Sequence, residues 1–274
     1  MAANQTEQRL KIDTLKPSDL IDKIVGILSN CPTTSEKKIL LVHSSLSKFK
    51  WQYKDYISCI EEIENKLNNY AVGFPSFTYS SKRQEIFTSD VPPDAQNGSL
   101  SRVIFETRKS KYFRTADIDY SYIFLNSHNL SPNIKDKLSR VKKTSFGPDS
   151  DFSIYYEEES ILLALGEGLS NGFTPIMHVE ALAGVPYREF VKSENLNNLE
   201  RAYYQKKIQK NYSYSAVNRK RLLKIEKIND YFESCVPPTE RKNFFIADSH
   251  VLLETLKPFL EKNPMFFLDV IDND

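Results

Sequence analysis

Apolar residues recur along positions 17–30 at Leu20, Ile21, Ile24, Ile27 and Leu28, the spacing of one helical face, and Pro17 stands where a helix start tolerates a missing N–H. The short apolar run ILLV (39–42) is closed by the polar stretch HSSLSK, a pattern that predicts a buried parallel strand followed by a loop. Tyr56, Ile60, Ile63 and Leu67 place a second helix over 53–69, and the β-branched and aromatic run AVGFPSFTY (71–79) predicts the next strand. Strand, helix and strand in that order make a βαβ unit. The expected class is therefore α/β, with a mixed central sheet flanked by helices in an α/β/α sandwich.

Further along, residues 80–98 hold two prolines and no periodicity, as a long binding loop would. A helix is expected over 99–109, a strand over 117–125, a turn at SFGPDS (145–150), and a buried strand at ILLALGEG (161–168) running into a glycine turn. The Lys/Tyr-rich stretch 198–233 reads as one or two helices with a charged outer face. A strand over 244–247 and a helix over about 249–261 complete the pattern. With no repeats and no low-complexity linker, a single domain over 1–274 is expected.

Composition narrows the chemistry. Lys and Arg (37) nearly balance Asp and Glu (36), which argues against a surface built for nucleic acid, although 201–227 is basic and aromatic. No run approaches a bilayer span, and the N-terminus has no apolar core of a secretory signal, so a cytoplasmic protein without a membrane partner is expected. Cys31, Cys59 and Cys235 are widely spaced and resemble neither a disulfide framework nor a metal site. Eight glycines, with no GxGxxG, GxxxxGK[ST], GxSxG or HExxH, lower the weight of nucleotide hydrolysis, Rossmann redox chemistry and α/β-hydrolase chemistry.

The densest signal is FTPIMHVEALAGVPYREF (173–190). Thr174 suits an N-cap and Pro175 the first helical position, which places His178 in the first turn, where the helix dipole favours neutral imidazole. A neutral histidine near pH 7 can serve as a general base.

Five segments in order resemble the aminoglycoside 3-N-acetyltransferase family of acyl-CoA-dependent enzymes: LLVHSSLSKF (40–49), PSFTY (75–79), RTADIDYSYIF (114–124), SFGPDS, and the 173–190 helix ending in Val-Pro-Tyr-Arg. Between them they span about residues 38–190. The resemblance implies transfer of an acetyl group from acetyl-CoA to a small-molecule amine acceptor, with a homodimer left open. His178 would be the base, oriented by Glu180 or by an aspartate, Asp117 or Asp119. Cofactor contacts would come from His43, Ser44, Ser45, Leu46, Ser121, Phe146 and Gly147. Acceptor contacts would come from Tyr79, Asp94, Asp119, Tyr120 and Tyr187.

Two departures matter. With Glu180 and Val185–Arg188 setting the register, Met177 stands at the family's histidine position and His178 one residue later. Residues i and i+2 of a helix point apart, so His178 and Glu180 should not pair. Asp117-Ile118-Asp119-Tyr120 replaces the His-Pro-x-His of antibiotic-modifying members, which points toward an amino sugar, nucleotide-linked or not, rather than an aminoglycoside. A binding protein that keeps the fold but has lost catalysis is the competing expectation.

Overall fold

The computed structural model describes residues 15–31, 38–78, 91–94, 97–117, 119–166, 169, 173–192, 202–207, 212–214 and 216–270. Its centre is a six-stranded sheet ordered β3-β4-β2-β1-β5-β9. The strands are β1 (Ile39–Ser45), β2 (Ala71–Pro75), β3 (Phe113–Arg114), β4 (Tyr122–Leu125), β5 (Ile161–Gly166) and β9 (Phe244–Asp248). β2, β1 and β5 run parallel, whereas β3, β4 and β9 pair antiparallel with their neighbours. The parallel trio reads as continuous apolar runs because helices cover both of its faces.

The first layer of helices is α1 (Pro17–Asn30), α2 (Tyr53–Lys66) and α3 (Ser99–Thr107), with α7 (Glu226–Cys235) packed against α1. The second is α4 (Pro132–Leu138), α5 (Asp151–Glu157), α6 (Pro175–Ala183) and α8 (Ser249–Lys262). α1 begins and ends where the apolar period predicts and buries the five expected residues. The mixed α/β/α sandwich is thus as read from the pattern.

Three local differences have physical causes. β1 continues through His43, Ser44 and Ser45, because β5 offers a parallel partner for every residue from Leu40 to Ser45. Of 117–125 only Tyr122–Leu125 is strand, since the Asp117 side chain accepts the backbone N–H groups of Asp119 and Tyr120 and turns the chain there. The stretch 198–233 is helical only in part. β7 (Ala202–Lys206) pairs with β6 (Arg188–Lys192), and β8 (Tyr212–Tyr214) pairs with β10 (Leu268–Val270). Paired tyrosines suit a pleated surface better than a helix.

The three cysteines are free and buried, as their spacing implies, and the Cys31 thiol donates to the Ile27 carbonyl at 3.3 Å. Among the described residues no helix is long and apolar enough to cross a membrane.

Candidate functional site

The five motif segments meet in one chain of polar contacts under the sheet. From β1, His43 Nε2 lies 2.6 Å from the Tyr122 hydroxyl of β4, and its ring meets Phe173 edge-on at 5.4 Å. At the end of β2, Ser76 receives the Arg114 guanidinium twice, at 3.1 Å on Oγ and 2.6 Å on its carbonyl oxygen. The Ser121 hydroxyl donates to the Ser76 carbonyl at 2.8 Å. Burial lowers the Arg114 pKa to about 10. Asp117 Oδ1 accepts from Ser145 at 3.1 Å, which ties the RTADIDYS segment to the SFGPDS turn. That turn then reaches α6, because the Gly147 N–H donates to His178 Nδ1 at 3.3 Å.

Gly147 adopts φ +89°, a left-handed conformation that side chains rarely take, and this aims its N–H at the histidine. Ser150 spends its hydroxyl proton on the Gly147 carbonyl (2.7 Å) while capping α5 through Ser153 N–H. A backbone N–H can only donate, so Nδ1 accepts and the neutral ring carries its proton on Nε2. The ring stacks on Tyr156 at 4.8 Å and lies roughly parallel to Phe152 at 6.2 Å. It is 1% exposed, and this desolvation holds its pKa down to about 3.

This environment corrects the expected triad. Glu180 does not orient His178. Its Oε1 accepts from the Tyr187 hydroxyl at 2.9 Å, and its Oε2 lies 2.5 Å from Arg188 Nε in a fully buried ion pair. The Val-Pro-Tyr-Arg ending therefore closes a loop onto the helix before it. Tyr187 is occupied there and is 2% exposed, so it presents no surface to a sugar. Asp117 serves the turn and Ser145, not the imidazole. Asp119 is fully buried and is not a surface group for an acceptor. At His178 itself, Nδ1 accepts from the Gly147 N–H and burial holds the pKa down to about 3.

The expected cofactor residues divide into two groups. Ser44 and Ser45 are half-buried at the carboxyl end of β1, within reach of a ligand, and Leu46 is buried behind them. His43, Ser121 and Phe146 are buried among neighbours and act as supports. Of the acceptor residues, Tyr120 is partly buried between Phe77 (4.9 Å) and Phe146 (4.7 Å), and partly buried Asp94 bonds through its backbone to Phe77. Tyr79 lies outside the described residues.

The sequence reading missed two cavities at the carboxyl edge. One of about 440 Å³ is bounded by Leu20 and Lys23 of α1, Phe49 beyond β1, Leu165 and Gly166 of β5, and the 238–244 segment. The other, about 290 Å³, lies on the far side of that edge against Ala164, Phe232 and Phe245. After β1 the chain crosses to β2 on one side, while β5 lies on the other. Such a switch point opens a crevice beyond the strand ends, where α/β sheets bind ligands. Strand order, rather than any motif, was the signal for it.

The architecture is therefore a mixed-sheet α/β/α sandwich with a crevice at its topological switch point. No family model and no curated protein matches the sequence. Among solved structures, the chain is similar to the apoenzyme of aminoglycoside acetyltransferase AAC(3)-IVa, with 17% identity, TM-score 0.68, and coverage of 93% of this chain and 91% of that one. It is likewise similar to AAC-VIa bound to sisomicin, at 13% identity and TM-score 0.66, over 91% and 98% of the two chains. YokD from Bacillus subtilis aligns at 14% identity and TM-score 0.61, over 91% of this chain and all of that one. The resemblance read from the motifs is thus met by a shared fold extending beyond them on both sides.

Proposed function

We propose that the protein is an N-acyltransferase that moves an acetyl group from acetyl-CoA to the amine of an amino sugar. The observation that carries this reading is the set of contacts His43–Tyr122, Ser76–Arg114, Ser145–Asp117 and Gly147–His178, each joining two of the motif segments. It draws the separated motif segments into one cluster, in a fold shared with aminoglycoside acetyltransferases.

The residues at the crevice suit such a cofactor: two half-buried serines stand at the end of β1, and the cavity next to Gly166, the strand partner of Ser45, mixes apolar Phe49 and Leu165 with Lys23, Glu240 and Lys242. Coenzyme A, when bound there, supplies the acyl group as a thioester. Ser44 and Ser45 bind and orient it, and Phe49 and Leu165 keep water from that end of the crevice. An amine must be unprotonated to attack, and amines with a pKa of about 8 supply a free-base fraction at neutral pH without a strong base. The ring of His178 is 1% exposed in the ligand-free fold, and the role we assign to it is that of a hydrogen-bond donor, through Nε2–H, to negative charge developing on a substrate that reaches the ring.

The test is acetyl-CoA consumption, read as free thiol release, over a panel of amino sugars, with a rise in melting temperature on adding acetyl-CoA as the binding readout. Turnover with any of them supports the reading. A competing reading, a fold-retaining protein without catalysis, is favoured by Met177 at the family's histidine position and by the buried His178 ring. It predicts neither thiol release nor a melting shift.

A further inference from the structure

The two cavities at the carboxyl edge share Gly166, Lys242 and Phe244 as a common wall. Alternate residues of a strand face opposite sides of a sheet, so Leu165 faces one cavity and Ala164 the other. The smaller cavity is on the same face as His43, since Ala164 pairs with His43 across the sheet and with Phe245 on its other side. Phe245 in turn meets Phe173, the residue whose ring contacts His43. This cavity is thus continuous, through side-chain contacts, with the cluster that ends at His178.

Its lining has a definite charge. Among the described residues, Lys220, Arg241 and Lys242 border it and no carboxylate does. Arg241 is partly neutralised by Glu233 at 2.9 Å, and Lys23 on the far wall is paired with Glu240. Lys220 and Lys242 are exposed, and among the described residues neither has an ion-pair partner. Between the cations the floor is apolar and aromatic, with Phe232 stacked on Phe245 at 5.7 Å and Leu223 beside them. A polycationic ligand meets like charge at this rim, which costs affinity and deters its approach. A ligand with a flat ring and a diphosphate meets the opposite: an aromatic floor and two lysines able to bond phosphate oxygens.

We propose that this rim binds the diphosphate of a nucleotide-linked amino sugar, so that the acceptor is anionic. The inference rests on the N-acyltransferase reading for the fate of the sugar amine, but not for the phosphate contact itself. Coenzyme A also carries a diphosphate, so the experiment must separate the two sources.

Calorimetric titration of the full chain with UDP, dTDP, coenzyme A and gentamicin, on wild type and on Lys220→Glu, whose side chain borders the smaller cavity and not the larger, does this. Lys220 is exposed, so the variant should fold, and its far-UV spectrum and melting curve check that. UDP or dTDP should bind wild type, and charge reversal should raise that Kd at least about tenfold, with coenzyme A affinity unchanged. Failure of both nucleotides to bind at millimolar concentration overturns the proposal, as does a parallel loss of coenzyme A affinity, which would assign the rim to the donor. Acetyl transfer to UDP-glucosamine, weakened in the variant, supports both inferences. Nucleotide binding without transfer to any amine keeps the rim and removes the enzyme reading. Transfer to gentamicin with no nucleotide binding removes the rim and keeps the enzyme.

Discussion

A ring nitrogen that accepts a backbone N–H leaves its histidine one place for the proton. At His178 the Gly147 amide makes that choice, and stacking on Tyr156 removes the water that an imidazolium would need. If the ring acts as a donor, His178→Ala should lower turnover roughly 10²- to 10³-fold, as loss of an oxyanion donor does. The wild-type kcat/KM should climb once with pH, following the acceptor amine, with no inflection where free imidazole titrates. A pH–rate profile with an inflection near 6.5, abolished in the variant, would instead restore the base. The buried Glu180–Arg188 pair makes a separate prediction. Glu180→Gln leaves the guanidinium without its counter-charge and should cost about 3–5 kcal/mol in urea unfolding, whereas pairing it with Arg188→Met should recover much of that. A loss below about 1 kcal/mol would show that the pair is not desolvated in solution. The sequence carried half of this argument. Helical spacing alone told that His178 and Glu180 diverge, but not that Tyr187 and Arg188, seven and eight residues on from Glu180, return to claim its carboxylate. Spacing reports which side chains share a helix face; it does not report where a chain goes after Gly184 turns it through φ +64°.

At the scale of elements, β1 and β5 end together, and the crevice depends on how closely they do so. Gly166 sits at φ +62°, and a Cβ there would lie 2.4 Å from the Ser45 carbonyl oxygen. Backbone cannot yield as a flexible side chain can. Gly166→Ala should therefore destabilise the chain by a few kcal/mol and weaken acetyl-CoA binding by displacing Ser45. An unaltered melting temperature and unaltered acetyl-CoA response would mean that the strand ends are looser than described. The glycine turn was visible in ILLALGEG, and α1, α2 and β5 were legible because their apolar periods are undisturbed by other demands. What stayed hidden was non-local. The tyrosines of 202–206 become strand only because Arg188–Lys192 pairs with them, and β1 outruns its apolar run only because β5 extends beside it. Propensity cannot anticipate a partner strand that arrives from elsewhere in the chain.

For the molecule as a whole, the net charge of +1 hides unlike regions, so its response to pH is set by particular buried groups rather than by overall field. His178 is the clearest of them. Its pKa falls from 6.5 unfolded to about 3 in the fold, because burial penalises the charged ring. Above 6.5 neither state binds the proton and the ring has no pH-dependent effect. Below 6.5 the unfolded chain takes up a proton that the folded chain refuses, so acid draws the equilibrium toward unfolding until the pH nears 3. The slope approaches about 1.4 kcal/mol per pH unit within that window. Between pH 6.5 and 5, wild type should therefore lose about 2 kcal/mol that a His178→Gln variant keeps, read as the narrowing gap between their urea midpoints. Parallel curves would mean that the ring is hydrated or charged in the native protein, and the donor role assigned to it would fall with its burial. A gap that narrows on schedule would tie the acid lability of the whole fold to the side chain on which its proposed chemistry turns.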